Sequence, residues 1–523
     1  MYHSGLVYDD QHSIKILLQL LTLAAHQLQQ KMFLLLLTLH VVTAYDNAAP
    51  GSRLPVMGWS SWVALGPDAS HPIFDYCDEF SVKAASDAFV SLGFKQAGYT
   101  GFHLDDCWAN LDRNATGYLQ GQLDHFPNGM KPVVDHIHSN GLDFGLYTCA
   151  GSHTCVGGRP GSGGATPHWQ QDADVFAEWG VDWVKQDNCN TNNMGQPEDY
   201  YTKMSQALNA TGRPICFAMC EWGVDKPWKW GNAIAQSWRM HGDHTGVWKS
   251  TKEIIAASAE VMQDPTNTGV PYGWNDMDML ETGNYAQAAH ANGKESTMTA
   301  TEYKTEFSMW AISASPLVVT TPIMNCSTTY KSKELPLFAD TLTKCNIKLK
   351  HQLSKSTCVE GISFGCSGNQ SMWTDKGCRG IFVVDGAAME CDMTGAGKHF
   401  CGDVQCVPWI SSLQKEILFN TDIIGINQDV TPQGAPVVLN DLTVWSRKLT
   451  GGDVAVALYN QDDTSTSIGF TFDAVGFVGD QGKKTCVRDL WKHVDVSSQI
   501  VGNRFPNATI EPHAVAMYRV SSC

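Results

Sequence analysis

Between Val56 and Thr320 the chain repeats one alternation eight times: a run of four to six mostly apolar residues, then a longer helix-like stretch. The runs are Val56–Trp59, Gly101–Asp105, Phe144–Tyr147, Val181–Gln186, Ile215–Met219, Ala235–Arg239, Tyr272–Met277 and Leu317–Thr320. Helical patterns such as Ser81–Leu92, Asp172–Trp179, Ser250–Gln263 and Glu302–Ser313 lie between them. Apolar strands that are not amphipathic belong to a sheet covered on both faces, and strand–helix alternation makes that sheet parallel. Eight such units in about 265 residues fit an α/β (β/α)8 TIM barrel better than an open sheet. No glycine fingerprint of the dinucleotide or P-loop type follows the first strand, which disfavours a nucleotide-binding fold.

The rest of the chain divides around this repeat. Lys31-Met32, the apolar run Phe33 to Val42 and then Val42-Thr43-Ala44 have the layout of a secretory signal peptide, expected over 32–44. Residues 1–31 are then an upstream extension, with Met32 as the start. The barrel is expected over 45–325 and its end over 415–430, with a last helix over Glu416–Asn427. Residues 326–414 hold eight of the 17 cysteines and little helical period, so a loop-rich, disulfide-stapled insertion is expected. Eight cysteines allow 105 pairings, and the connectivity stays open. From 431 to 523, alternating runs such as Val454–Tyr459 and Ile468–Phe472 indicate a C-terminal antiparallel β-sandwich. The cysteine count, which is odd, and five glycosylation sequons (Asn114, Asn209, Asn325, Asn369, Asn507) point to an oxidising, exported protein with at least one free thiol.

The strands end in a consistent way. The second gives Asp105-Asp106-Cys107-Trp108, the fourth Lys185-Gln186-Asp187, and the fifth Cys220-Glu221-Trp222. The sixth gives Arg239 to Asp243, and the seventh Asn275-Asp276-Met277-Asp278. Barrel enzymes place their chemistry at these C-terminal ends. A ring of carboxylates with a Lys, an Arg and indole faces suits a sugar, whose hydroxyls donate to carboxylates and whose C–H face stacks on indole. A net charge of −17 argues against nucleic acid or an anionic membrane as partner. No His-x-Glu or Glu-x-x-His ligand spacing implies a metal.

These stretches, with Met57-Gly58-Trp59-Ser60-Ser61-Trp62, Ser315-Pro316-Leu317 and Asn427-Gln428-Asp429, resemble the secreted α-galactosidases (melibiases) of glycoside hydrolase family 27, which also holds α-N-acetylgalactosaminidases. The resemblance covers about residues 54–325 and 415–523 and implies a retaining exo-α-galactosidase without cofactor or metal. It implies Asp187 as nucleophile, Asp243 as acid/base with a raised pKa, and Lys185 as the charge that keeps Asp187 ionised. Asp105 and Asp106 are implied to grip the O6 and O4 side of galactose, with Trp59 as the stacking floor. Tyr147, Cys220, Trp222, Arg239 and Asp278 are further implied sugar contacts, and Cys77–Cys107 and Cys155–Cys189 implied disulfides. Glu221 would crowd an acetamido group, which weighs against the N-acetylgalactosaminidase alternative. An intact Asp105 disfavours β-L-arabinopyranosidase activity, and a silent sugar-binding protein should lack Asp187 or Asp243. Cys149, Gln186 and Met277 depart from the family pattern. The implied partner is a small or polymeric galactoside, with no membrane span in the mature chain. A homo-oligomer and a lysosomal, vacuolar or extracellular destination stay open.

Overall fold

The computed structural model describes residues 45–62, 64, 76–123, 125–156, 158–269, 271–283, 298–329, 347–366, 372–384, 387–391, 399–400 and 402–523. The expected extension and leader, residues 1–44, lie outside the described residues.

Eight parallel strands are present at the expected places: β1 (Met57–Ser60), β2 (Gly101–Leu104), β3 (Asp143–Cys149), β4 (Trp183–Asp187), β5 (Cys216–Cys220), β6 (Ser237–Arg239), β7 (Trp274–Asp276) and β8 (Leu317–Val319). They pair in the order β7-β6-β5-β4-β3-β2-β1-β8. The ring closes just past β7, where Leu280 N donates to Val318 O at 2.8 Å and Thr320 N to Leu280 O at 3.1 Å. Gly58 is required at the β1–β2 seam, because a Cβ there would lie 2.7 Å from Gly101 O.

The covering helices are α1 (Glu79–Leu92), α2 (Lys131–Ser139), α3 (Trp169–Trp179), α4 (Pro197–Ala210), α5 (Trp248–Met262) and α6 (Ala300–Ile312). Their ends follow capping chemistry. Asp78 accepts from Ser81 N at 2.8 Å to start α1, and Gly93, with φ +102°, ends it. Thr299 and Glu302 form a reciprocal capping box on α6. The single helix expected over Glu416–Asn427 is instead two, α7 (Ser412–Leu418) and α8 (Thr421–Asn427). Asn420 breaks the run by capping Ile423 N with its side chain at 3.1 Å.

Among its described residues the cysteine-rich segment carries short strands. It builds a five-stranded antiparallel sheet from β9 (Met324–Thr329), β10 (Ile347–Gln352), β13 (Gly380–Val384), β14 (Ala387–Cys391) and β16 (Gly402–Pro408). A three-stranded sheet adds β11 (Phe364–Cys366), β12 (Met372–Thr374) and β15 (His399–Phe400). A small core including Ile347, Phe364, Met372 and Phe382 forms beside the Cys358–Cys378 disulfide. This module is seated on the barrel by Lys350, whose Nζ lies 2.6 Å from Asp78 Oδ2 at the cap of α1.

After α8, a six-stranded and a two-stranded antiparallel sheet follow. Val454, Val456 and Leu458 of the larger sheet face Phe470 and Phe505 of the smaller in one apolar core, so the C-terminal part is a β-sandwich.

Candidate active site

Strand parity decides what reaches the barrel mouth, since alternate residues face opposite sides. On β4, Trp183, Lys185 and Asp187 share one parity, and Lys185 and Asp187 emerge into a cavity at the C-terminal ends of the strands. Asp105, Asp106, Tyr147, Arg239 and Asp278 also line it, as do Asp243, Cys220 and Trp222.

Two disulfides pin the rim. Cys77–Cys107 ties the loop after β2 to the approach to α1, and Cys155–Cys189 ties the loop after β3 to that after β4. Two lining residues hold positive φ without being glycine, Trp222 at +62° and Asp278 at +84°. Such conformers cost on the order of 1–3 kcal/mol and persist where the surroundings impose them. Gly223, at φ +76°, accompanies Trp222, and a Cβ there would meet Met240 O at 2.2 Å.

Asp187 is 8% exposed, accepting from Asn188 N at 2.9 Å and from the Tyr147 hydroxyl at 3.2 Å. Burial pushes its pKa up, Lys185 pulls against this, and the charges of Asp243 and Asp105 add to the rise. Lys185 therefore does not dominate Asp187 as expected. Its Nζ instead donates to Asp105 Oδ2 at 2.8 Å, and lies 5.3 Å from the centre of the Tyr147 ring and 5.8 Å from that of Trp62. Burial opposes ionisation of Asp105, yet Lys185 and then His103 hold its pKa below the usual carboxylate value. Asp106 accepts from Val156 N at 2.7 Å through one oxygen, while Oδ1 is buried without a protein partner. Burial, with Asp105 beside it, raises Asp106 to about 6.

Arg239 organises the opposite wall. Its Nη2 lies 2.7 Å from Asp278 Oδ2 and 3.2 Å from Asp243 Oδ1, and Nη1 donates to Cys220 Sγ at 3.5 Å. Asp243, on the loop after β6, keeps a 61% exposed side chain.

Two sequence-derived assignments do not survive. Trp59 is 1% exposed, donates Nε1–H to Thr321 O, and stacks on Phe102 at 4.7 Å on the outer side of the sheet. It lies on the outward parity of β1, and the aromatic lining the cavity from that segment is Trp62, on the inward parity. Glu221 likewise continues the outward parity of Phe217 and Met219. Its carboxylate is buried, accepts from Asp225 N at 2.9 Å, and does not line the cavity; Trp222 does. The remaining expected contacts converge. Three thiols are free among the described residues, Cys149, Cys216 and Cys220. Cys149, which departs from the family pattern, hydrogen-bonds Cys189 O at 3.2 Å behind Asp187.

Several buried carboxyl groups bind protons more tightly here than when unfolded. Burial raises Asp106 to about 6, Glu221 to about 7 and Glu306 to about 8. A raised folded-state pKa means the native state holds a proton that the unfolded chain releases. The associated stability is complete below about pH 4 and drains away as pH climbs to about 8, at about 1.4 kcal/mol per pH unit for each such group. The melting temperature should accordingly be higher at pH 5 than at pH 8, as calorimetry at the two values would show. A higher value at pH 8 would contradict these protonation states.

A (β/α)8 barrel with opposed carboxylates at its C-terminal mouth, followed by an antiparallel sandwich, defines a glycoside-hydrolase type of enzyme. The chain belongs to the α-galactosidase A (melibiase) family, whose model matches residues 54–337; that of the α-galactosidase C-terminal β-sandwich domain matches 440–520. A third model, of a protein family of unknown function, matches residues 290–399. The chain is 32% identical over 469 residues to α-galactosidase of Cyamopsis tetragonoloba, covering 89% of this chain and 86% of that one. It is likewise 32% identical over 472 residues to α-galactosidase of Coffea arabica, covering 89% and 93%. Among solved structures, α-galactosidase I of Mortierella vinacea superposes with a TM-score of 0.60 at 24% identity, covering 90% and 98%. The Saccharomyces cerevisiae α-galactosidase with raffinose gives 0.60 at 24%, covering 91% and 98%. These two likenesses bear on the fold alone.

Proposed function

We propose that the protein is a retaining exo-α-galactosidase that removes terminal α-D-galactosyl residues from oligosaccharides, polysaccharides or glycolipids. One observation carries the reading: a single pocket holds the inward-facing Asp187 of β4 together with Asp243 of the β6 loop, beside the Lys185–Asp105 ion pair. Asp187 attacks the anomeric carbon as Asp243 gives its proton to the leaving oxygen, and a galactosyl ester on Asp187 results. Water that surrenders a proton to Asp243 then hydrolyses this ester, so that the sugar's α configuration is kept. The Asp105 carboxylate and the unpaired Oδ1 of Asp106 offer acceptors on one side, as an axial hydroxyl requires. Trp62 supplies the stacking face first sought at Trp59, and Trp222, rather than Glu221, stands on the wall between Cys220 and Arg239.

The described disulfides, including Cys486–Cys523, and the exposed sequon residues Asn114, Asn209 and Asn507 support a secretory route to an extracellular, lysosomal or vacuolar destination. Among the described residues no helix is long and apolar enough to cross a membrane.

A panel of nitrophenyl α-glycosides tests the assignment. The α-galactoside should be hydrolysed with kcat/KM on the order of 100-fold or more above the α-glucoside and the α-N-acetylgalactosaminide. Preference for the N-acetylated sugar would overturn it.

A further inference from the structure

We propose that the buried carboxyl groups of Glu281 and Glu306 form a positioning device for the loop that carries Asp243; the inference rests on Asp243 being the acid/base. Asp243 itself is loosely held. Its side chain is mostly exposed, and Arg239 Nη2, at 3.2 Å, is the side-chain partner that restrains it. Its placement therefore depends on how the loop backbone is fixed.

The next residue, His244, is buried and does the anchoring. Its backbone N–H donates to Asp278 Oδ2 at 2.7 Å, Nδ1 lies 3.3 Å from Met279 O, and Nε2 lies 2.9 Å from Thr251 Oγ1. Behind it stands Glu306 of α6. One carboxylate oxygen lies 3.5 Å from His244 Nδ1 and accepts from Glu281 N at 2.9 Å; the other accepts from the Thr282 hydroxyl at 3.0 Å. Glu281 touches the loop on a second side. Gly246, at φ +64°, lies beside it, since an added Cβ would come into van der Waals contact with Glu281 at 3.5 Å, and Glu281 Oε2 accepts from the Thr320 hydroxyl at 3.5 Å. Glu306 thus holds the Asp243 loop at His244, and Glu281 flanks it at Gly246.

Both side chains are fully enclosed, and His244 is the one basic group within ion-pair reach of either among the described residues. Burial drops His244 to about 3, so the ring is neutral and offsets nothing. Asp278 lies beyond Glu281, and Arg239, which bears on His244, is committed to Asp278. Burial first and then the Glu306 charge push Glu281 well up, and burial raises Glu306 to about 8. The pair is therefore uncharged while both carboxyls keep their protons. Its arrangement is intact below about pH 8 and fails as the pH rises through that value, when like charges face each other with no cation between them.

The test is the pH dependence of kcat and KM on nitrophenyl α-galactoside for the wild type, E306Q and E306A. Gln copies the protonated acid: it accepts through oxygen and carries no charge at any pH. At pH 5, E306Q should keep kcat and KM within about threefold of wild type. E306A should lose on the order of tenfold in kcat with KM nearly unchanged. On the alkaline side, log kcat of the wild type should fall with a limiting slope about one greater than that of E306Q, because the glutamate pair adds a proton loss that E306Q lacks. A role in stability alone would shift melting but leave the slopes equal. Equal slopes in active wild type and E306Q overturn the inference while leaving the proposed function standing; a wild type inactive on galactosides overturns that function instead. If E306Q does not fold, E281Q carries the same slope test. Failure of both Gln variants to fold would also overturn the inference, since an amide replaces a protonated carboxyl without changing its shape.

Discussion

Asp187→Asn is expected to lower kcat on the order of 10⁴-fold or more while leaving KM for nitrophenyl α-galactoside nearly unchanged. The amide keeps the shape that meets the sugar: its oxygen can accept from Asn188 N, and its NH2 can donate to the Tyr147 hydroxyl oxygen. It cannot form the galactosyl ester, so the whole covalent route is lost; 10⁴-fold corresponds to about 5.5 kcal/mol of barrier. Stability should move the other way. Asp187 is a buried carboxylate whose pKa is raised by desolvation and by Asp243 and Asp105, so removing its charge at neutral pH relieves strain. The variant should melt no lower than the wild type. A variant with tenfold loss or less would remove Asp187 from the nucleophile's role, whatever its stability.

Asp243→Ala should behave differently because the group acts on the leaving oxygen. General acid catalysis contributes on the order of 10²–10⁴-fold, and all of it is needed only when the leaving group is basic. Galactosyl disaccharides should lose near the upper end of that range, whereas dinitrophenyl galactoside, whose phenolate leaves unprotonated, should lose little in the first step. Its galactosyl ester on Asp187 should then accumulate, since water lacks a base. Azide needs none and should restore turnover, giving α-galactosyl azide as product. The side chain is largely exposed and Arg239 keeps its bond to Asp278, so stability should change by no more than about 0.5 kcal/mol. Equal losses on good and poor leaving groups, with no azide product, would place the acid/base elsewhere.

The strands were legible because short apolar runs recur between helical stretches, and those of β2, β4, β6 and β7 stop at charged residues, as buried parallel strands do when they deliver polar groups to a site. What went unread was parity. Trp59 shares a side of β1 with Met57, and its partner across the seam is Phe102, whereas Gly58, Ser60 and Trp62 face inward. Counting by twos from the inward Cys220 would have turned Glu221 outward in the same way. In the cysteine-rich module, cysteine density masked short strands. Ile347-Lys348-Leu349-Lys350 alternates with period two, and Gly380–Val384 is an apolar run, yet each is too brief to stand out without its partner. Glu281 and Glu306 left no sequence signal. Glu281 follows the acidic strand end at Asp276 and Asp278, and Glu306 lies one turn after Glu302, so neither stands out, and only the closure of the ring past β7 brings Glu306 of α6 against the Asp243 loop.

The central assignment is that Asp187 carries the sugar between the two displacements, and a trapped intermediate tests it most directly. The enzyme would be incubated with an activated fluorinated galactosyl fluoride, whose fluorine slows hydrolysis of the ester more than its formation, then digested and sequenced by mass spectrometry. One fluorogalactosyl adduct per chain is expected, on the peptide containing Lys185-Gln186-Asp187 and at Asp187. An adduct on Asp243, or no adduct together with β-galactose as the first product released from an α-galactoside, would contradict it.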